Sequence, residues 1–539
     1  MASKVILNNE SIVPFFGDRI SFIRGLDPLG LQNSSDATFS QLLPGLNNVT
    51  GRIRYYSFYC WLFDTYSKIN GSTNPDDQKN FIRRAEYIIA LASQYIEGDA
   101  SSIPGSNYAR QEIIYKGEVQ HSLQAGTFKS DGSTRETYWN YGTGAFGQYY
   151  LGSLRDIGII SERNNQIGVY VRTNKREDGS ISGEELADAF DNNISKKKNL
   201  FLKCINAGNI SDNELKELLP EFDLTIIPKD TEEQRLLIKL LIQKDFPLRF
   251  EETPKTLRKQ TIKHLLDFIK SNQGEFSDRI FIYNCFNKKG KVKNSDDECL
   301  MGWYYYQFNE FWHFLNTSIF NGTLAYLEKI SDPNWYPLSQ LVNEVTNQVI
   351  AKLEEQNIAK NSSTCVDEIL INLSDTKNIY DNFEITSKEV MVDKVTNAFL
   401  LMFTLYNENR EQIIDLKTYA ESNQVAKDGD GTSYFISQFE SKKGETIHKY
   451  IYDYIFLNII YRHQYVAFRK IGGGSQSTQK FIIEDNFIRY LGNFEAGYTG
   501  PRIGRLVAFL KDLDIISNEN NLMSKGELLT AELKDTNDR

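Results

Sequence analysis

A mainly α, multidomain chain with small β-hairpins and two winged-helix-like units is the architecture this sequence predicts. Three observations predict it. Apolar residues recur at three- and four-residue steps through most of the 539 positions, the signature of helices with one buried face. Strand-like alternation is confined to short pieces such as Ile167 to Thr173, and one helix–strand–turn pattern occurs twice. At this length about three or four domains are expected. With 40% hydrophobic and 24% charged residues the chain can build cores, which excludes collagen-like, disordered and disulfide-stapled classes.

The clearest helix follows Asn74, a good N-cap, and Pro75, preorganised for the first helical turn. From there Phe81, Ile82, Ala85, Ile88, Ile89, Ala92 and Ile96 form one stripe. Similar patterns predict helices over 52–68, 231–242, 257–269, 301–330, 390–406 and 446–470. Periodicity lapses at 98–105, 128–137, 357–364 and 472–478, of which the last, GGGSQST, reads as a flexible connector. The resulting division is a helical N-terminal domain (1–140), a winged-helix-like unit (141–200), a helical middle region (201–385), a further helical region (386–471) and a second winged-helix-like unit (479–539).

The start, MASKVILNNESIVPFF, lacks the layout of a secretory signal, and no apolar stretch approaches the 18 residues of a spanning helix. A cytoplasmic protein with no membrane partner is expected. Cys60, Cys204, Cys285, Cys299 and Cys365 are scattered and never in a CxxC pair, which predicts buried, reduced thiols. A net charge of −10 argues against coating nucleic acid by bulk electrostatics and leaves only local basic patches.

The internal duplication is the most specific signal. Leu154 to Asn165 (LRDIGIISERNN) and Leu510 to Asn521 (LKDLDIISNENN) share seven of twelve residues without gaps, and each is followed by a new helix start, SGEELADAF from Ser182 and SKGELLTAEL from Ser524. Helix, strand, polar tip, strand, helix is the order of a winged-helix unit's second half, a fold that reads DNA or binds proteins. The helix before the first hairpin carries Gln148, Tyr149, Ser153 and Arg155; that of the second carries Arg502, Arg505 and Lys511. Residues 449–514 hold nine basic and six acidic side chains, and YRHQYVAFRK adds Arg462, Arg469 and Lys470 as candidate phosphate contacts beside His463.

Other motifs carry less. Gly142, Gly144 and Gly147 form GxGxxG with Glu162 at the right distance, but no buried strand precedes them, so close packing of helix starts is the better reading and no cofactor is expected. Arg258 and His264 have the R-x5-H spacing of HEPN-type ribonucleases, which chance supplies readily; the remaining histidines have no partner at metal-ligand spacing, so no metal is expected. Asp428 to Gly431 begins like a calcium loop but continues with the wrong residues, and reads as a turn. RIRYYSFYCWL from Arg52 either stacks its arginines and rings on a nucleic-acid strand or forms a core stripe. WYYYQFNEFWHF from Trp303 fills either a core or a partner interface.

GLDPLG at Gly25, LLPGL at Leu42, RIRYYSFYCWL at Arg52 and GAFGQYY at Gly144, with the winged-helix-like end, resemble an uncharacterised prokaryotic protein family associated with mobile-element and antiviral defence loci. The resemblance covers about the first 190 and the last 90 residues and brings no catalytic residues with it. It implies a nucleic-acid-binding or scaffolding component of a defence system. The alternatives are a nuclease with dispersed catalytic residues and a purely protein-binding subunit.

Overall fold

The computed structural model describes residues 27–535 apart from 71, 97–99, 116–118, 130, 132, 134, 246–254, 273–275, 289–296, 332, 374–377, 472–477 and 498–502. The N-terminal segment, the GGGSQS run and Arg502 lie outside the described residues. The protein is mainly helical, with 65% helix against 6% strand. Among the described residues the strands form two antiparallel pairs, Gln120–Ser122 with Asn209–Ser211 and Ile160–Glu162 with Tyr170–Arg172, and one three-stranded sheet with Phe487–Tyr490 between Trp335–Pro337 and Phe481–Glu484. Among the described residues no helix is long and apolar enough to cross a membrane. All five cysteines are free, and all but Cys365 are buried.

The chain divides into two units. One comprises Ser35–Gln307 with Gly500–Arg539; the other comprises Phe308–Thr499 with the described residues up to Ser34.

In the 35–307 unit the core is built on helix Arg54–Ile69, whose residues from Arg54 through Phe63 are all buried. Tyr55 stacks on Tyr150 with centroids 4.8 Å apart, and Phe63 meets Phe146 edge-on at 5.0 Å. The core reading of RIRYYSFYCWL therefore holds over base stacking. Its arginines also point inward: Arg54 donates to the Asp223 and Ile226 carbonyls (2.7 and 2.9 Å) and pairs with buried Glu233. Helix Pro75–Ala92 starts as its sequence predicts, with the Asn74 side chain accepting the Asp76 N–H. Arg258, from the R-x5-H pair, is fully buried and donates to the Leu240, Leu241 and Pro44 carbonyls. It thereby closes the end of helix Glu232–Ile242, whose last carbonyls have no helical partners.

In the 308–499 unit, residues 308–314 of the aromatic run are likewise buried, as are 303–307 in the other unit, so WYYYQFNEFWHF is core. Trp312 packs on Tyr434 and Phe435 and donates its indole N–H to the Gly429 carbonyl at 2.9 Å. Asp430 caps the short helix after it by accepting the Thr432 and Ser433 N–H groups, which makes the calcium-loop look-alike a helix start. The predicted 446–470 helix runs as Ile447–Asp453, a π segment Tyr454–Tyr461 and Arg462–Ile471.

That last helix grips the loop 27–32. Arg462 donates to the Leu29 carbonyl at 2.7 Å, Lys470 to the Asp27 carbonyl, and His463 Nδ1 lies 2.9 Å from the Pro28 carbonyl. Because the Lys480 N–H donates to His463 Nε2 (3.1 Å), the imidazole is neutral with its proton on Nδ1. Burial lowers its pKa to about 4, against the partial offset of the Pro28 carbonyl. A folded pKa below the unfolded one means this stabilisation is complete above about pH 6.5 and is lost as pH falls through about 4. Wild-type protein is accordingly expected to lose melting temperature between pH 6.5 and 4.5 more steeply than His463→Gln, a comparison read directly in a buffer series.

Candidate nucleic-acid interface

The two duplicated segments end their helices and begin their return in the same way. Helices Leu151–Asp156 and Ile503–Asp512 both end in a left-handed residue, Gly158 at φ 81° and Asp514 at φ 58°. The Ile159 N–H then returns to the Leu154 carbonyl at 3.0 Å, and the Ile515 N–H to the Leu510 carbonyl at 2.9 Å. Both ends are the backward-bonded stop that satisfies a helix's last carbonyls. At the tips, Asn164 and Asn520 are again both left-handed, at φ 45° and 61°. On the return, the Ile159 carbonyl accepts the Thr173 N–H and the Ile515 carbonyl that of Met523.

A glycine then lies against the same carbonyl in each copy: a Cβ on Gly183 would come within 2.1 Å of the Ile159 oxygen, and one on Gly526 within 2.3 Å of the Ile515 oxygen. The copies differ in their hairpins. The first is a two-stranded ladder; the second is reduced to a single bridge, Ile516 to Leu522.

Both copies put side chains into one cleft of about 660 Å³ in the 35–307 unit. Gln148 and Tyr149 come from the segment Phe146–Tyr150 that leads directly into the first copy's helix and Arg505 from the second copy's helix; Tyr108, Trp139 and Asn140 line the remaining wall with the serines at 101, 102 and 106. Trp139 meets Tyr149 edge-on at 5.2 Å and donates its indole N–H to Gln148 at 2.9 Å. Arg505 uses Nε on the Asn48 carbonyl at 2.7 Å, its one hydrogen bond among the described residues, which leaves both Nη groups for a ligand. Among the described lining residues Arg505 is the one charged side chain, so the wall combines a cation, aromatic faces and amides without a carboxylate.

Arg52 ties this cleft to the core. It donates to Ser102 on the cleft wall (3.0 Å) and to Asp512 at the end of the second copy's helix (2.6 Å). Asp512 also accepts the Ile53 N–H, yet burial pushes its carboxyl up to about 6 despite Arg52.

The other predicted residues go elsewhere. Arg155 pairs with Glu162 at 3.0 Å. Lys511 donates to the Asn518 carbonyl and lines a second cleft, of about 490 Å³, with Asp278 and Arg279. Arg469 lies over the Tyr465 ring, 5.2 Å from its centroid, and Arg462 and Lys470 serve the 27–32 loop in the other unit. Trp139, Tyr108 and the serines escaped the sequence reading because they fall in or beside stretches read as linkers; the bulky Trp139 next to a polar run was the available signal.

The GxGxxG segment binds an anion, and it is the protein's own. Fully buried Glu86 accepts the Ala145 and Phe146 N–H groups (2.9 and 2.7 Å) and the Tyr59 and Tyr138 hydroxyls. Burial raises its pKa against the lowering effect of those four donors. Gly144, at φ 71°, is required there because a Cβ would fall 2.4 Å from the carboxylate. The N–H groups a phosphate would use are thus already taken. No protein family, curated protein or solved structure matches the chain.

Two outcomes are expected of this geometry. Gly183→Ala and Gly526→Ala each force a methyl into backbone and should cost about 1–3 kcal/mol in unfolding experiments. Gly152→Ala, on helix Leu151–Asp156 with nothing within 4 Å of the added methyl, should be neutral or stabilising by up to about 1 kcal/mol. For Asp512, a folded pKa above the unfolded one makes stability fall as pH rises from about 4 to about 6, by up to about 3 kcal/mol; in Asp512→Asn that slope should vanish from denaturant midpoints measured at pH 4 and 7.

Proposed function

We propose that the chain is a nucleic-acid-binding protein that takes an unpaired nucleotide of a strand into the cleft shared by its two duplicated segments. The observation that carries this reading is the convergence of Gln148 and Tyr149 from one copy and Arg505 from the other on a single wall with Trp139 and Tyr108. Bases stack on aromatic rings irrespective of sequence, amides bond their edges, and a guanidinium meets the phosphate. This arrangement suits an unstacked base better than a duplex groove. Over 146–156 the first copy's helix and the segment leading into it expose only Gln148, Gly152 and Asp156, and Arg155 is engaged by Glu162.

The winged-helix-like order of the first copy and the resemblance to a defence-associated family support a role as a recognition component in antiviral defence. A second reading, a scaffold for a partner protein, draws on the 308–499 unit, where Leu457, Tyr461, Tyr465 and Phe468 form an exposed stripe along one helix.

Labelled single-stranded and duplex DNA and RNA, titrated across a salt series with magnesium present, test the first reading. Single strands should bind in preference to duplex, leave the gel intact and quench tryptophan fluorescence. Tyr149→Ala should weaken binding about ten-fold, and Arg505→Ala should lower the salt slope by about 1. Cleaved strands would move the protein to the nucleases. Affinity and slope unchanged in both variants, or no binding at micromolar protein, would overturn the proposal and leave the scaffold reading.

A further inference from the structure

We propose that His264, Asp297 and Cys299 form a site for a divalent metal ion of the zinc class, completed by water at the fourth position. Helix Leu257–Ser271 presents Leu257, Thr261 and His264 on one face, and the start of helix Glu298–Ser331 lies against it. His264 Nε2 is 2.8 Å from Asp297 Oδ2, and a ring nitrogen of His264, a carboxylate oxygen of Asp297 and the Cys299 sulfur all lie within 4.8 Å of one another. Imidazole, carboxylate and thiolate are the donor set of zinc, and three protein ligands plus water is its open tetrahedral form.

Around an ion with bonds of about 2.0–2.3 Å, tetrahedral ligand atoms sit about 3.3–3.6 Å apart. The imidazole and carboxylate must therefore separate by about half an ångström and the sulfur must close in by up to about an ångström, both within reach of side-chain rotation. The supporting bonds are in place. Asp297 Oδ1 accepts the Leu300 N–H at 3.0 Å, which orients Oδ2, and Thr261 contacts the Cys299 sulfur at 3.2 Å while accepting the Trp303 indole N–H at 3.1 Å. His264 and Asp297 are 21% and 25% exposed, which gives the ion and its water a route in, whereas Cys299 is buried. Bound there, the metal would pin the start of one helix to the side of the other. Nothing in sequence spacing points to it, since 33 residues separate the histidine from the aspartate.

Cobalt(II) titrated into the purified, chelator-treated, reduced full chain is the test. Wild type should take up about one equivalent and develop a thiolate-to-cobalt charge-transfer band, which zinc should abolish by displacement. Cys299→Ser should lose the band, and His264→Gln should bind cobalt about ten-fold or more weakly. Circular dichroism of both variants separates lost ligation from lost folding, and Cys365→Ser should retain the band. A wild-type protein with no charge-transfer band, or a band that survives in Cys299→Ser, would overturn the site and leave His264–Asp297 as a hydrogen-bonded pair at a helix start.

Discussion

Glu86 holds the 35–307 unit in the arrangement everything else uses. A carboxylate removed from water is costly by several kcal/mol unless its oxygens are bonded, and here four donors from three separate parts of the chain meet it: Tyr59, Tyr138 and the N–H groups of Ala145 and Phe146. Those bonds fix where Tyr138 and hence Trp139 emerge. They also fix where the helix bearing Gln148 and Tyr149 begins, so the wall of the cleft is set from a buried charge one layer below it. The same demand explains Gly144, because no side chain fits between the carboxylate and the backbone that binds it.

Around this anchor the duplicated segments act as two brackets. Each ends a helix with a left-handed residue, turns at a left-handed asparagine and presses a glycine onto the same isoleucine carbonyl. Their helices meet on shared aromatics: Tyr56 lies edge-on to both Tyr150 and Phe509, at 6.4 and 5.6 Å. Arg52 bonds Asp512 beside them. Because one copy contributes Tyr149 and the other Arg505, the cleft requires residues more than 350 positions apart in the chain. The 308–499 unit has its own comparable device, a helix whose Arg462, His463 and Lys470 each bond a carbonyl of loop 27–32.

Much of the secondary structure was legible. Asn74 and Pro75 start a helix for reasons local to four residues, Thr231 caps Glu232–Ile242 in the same way, and in the duplication the asparagines mark a turn in both copies while the Ile-Ile pair enters a paired strand in the first and only a single bridge in the second. Charged residues were harder to place. Arg462, Lys470 and Arg258 look like surface cations in the sequence, yet each is directed at backbone carbonyls supplied by remote segments. Carbonyls leave no trace in a sequence, so a cation that serves them cannot be told from one that serves a phosphate.

What the sequence determined by itself, then, is what depends on nearest neighbours along the chain: a mainly helical protein, its caps and stops, buried aromatic stripes and a repeated helix–turn unit. Those features follow from backbone sterics and from hydrophobic period, which act over a few residues. Only the tertiary structure decided which glycines carry a positive φ against a buried carboxylate, that the two copies share one cleft, and that His264 meets Asp297 and Cys299. Each of these is a meeting of side chains brought together by burial of a common core, and such meetings are set by packing in three dimensions rather than by spacing along the chain.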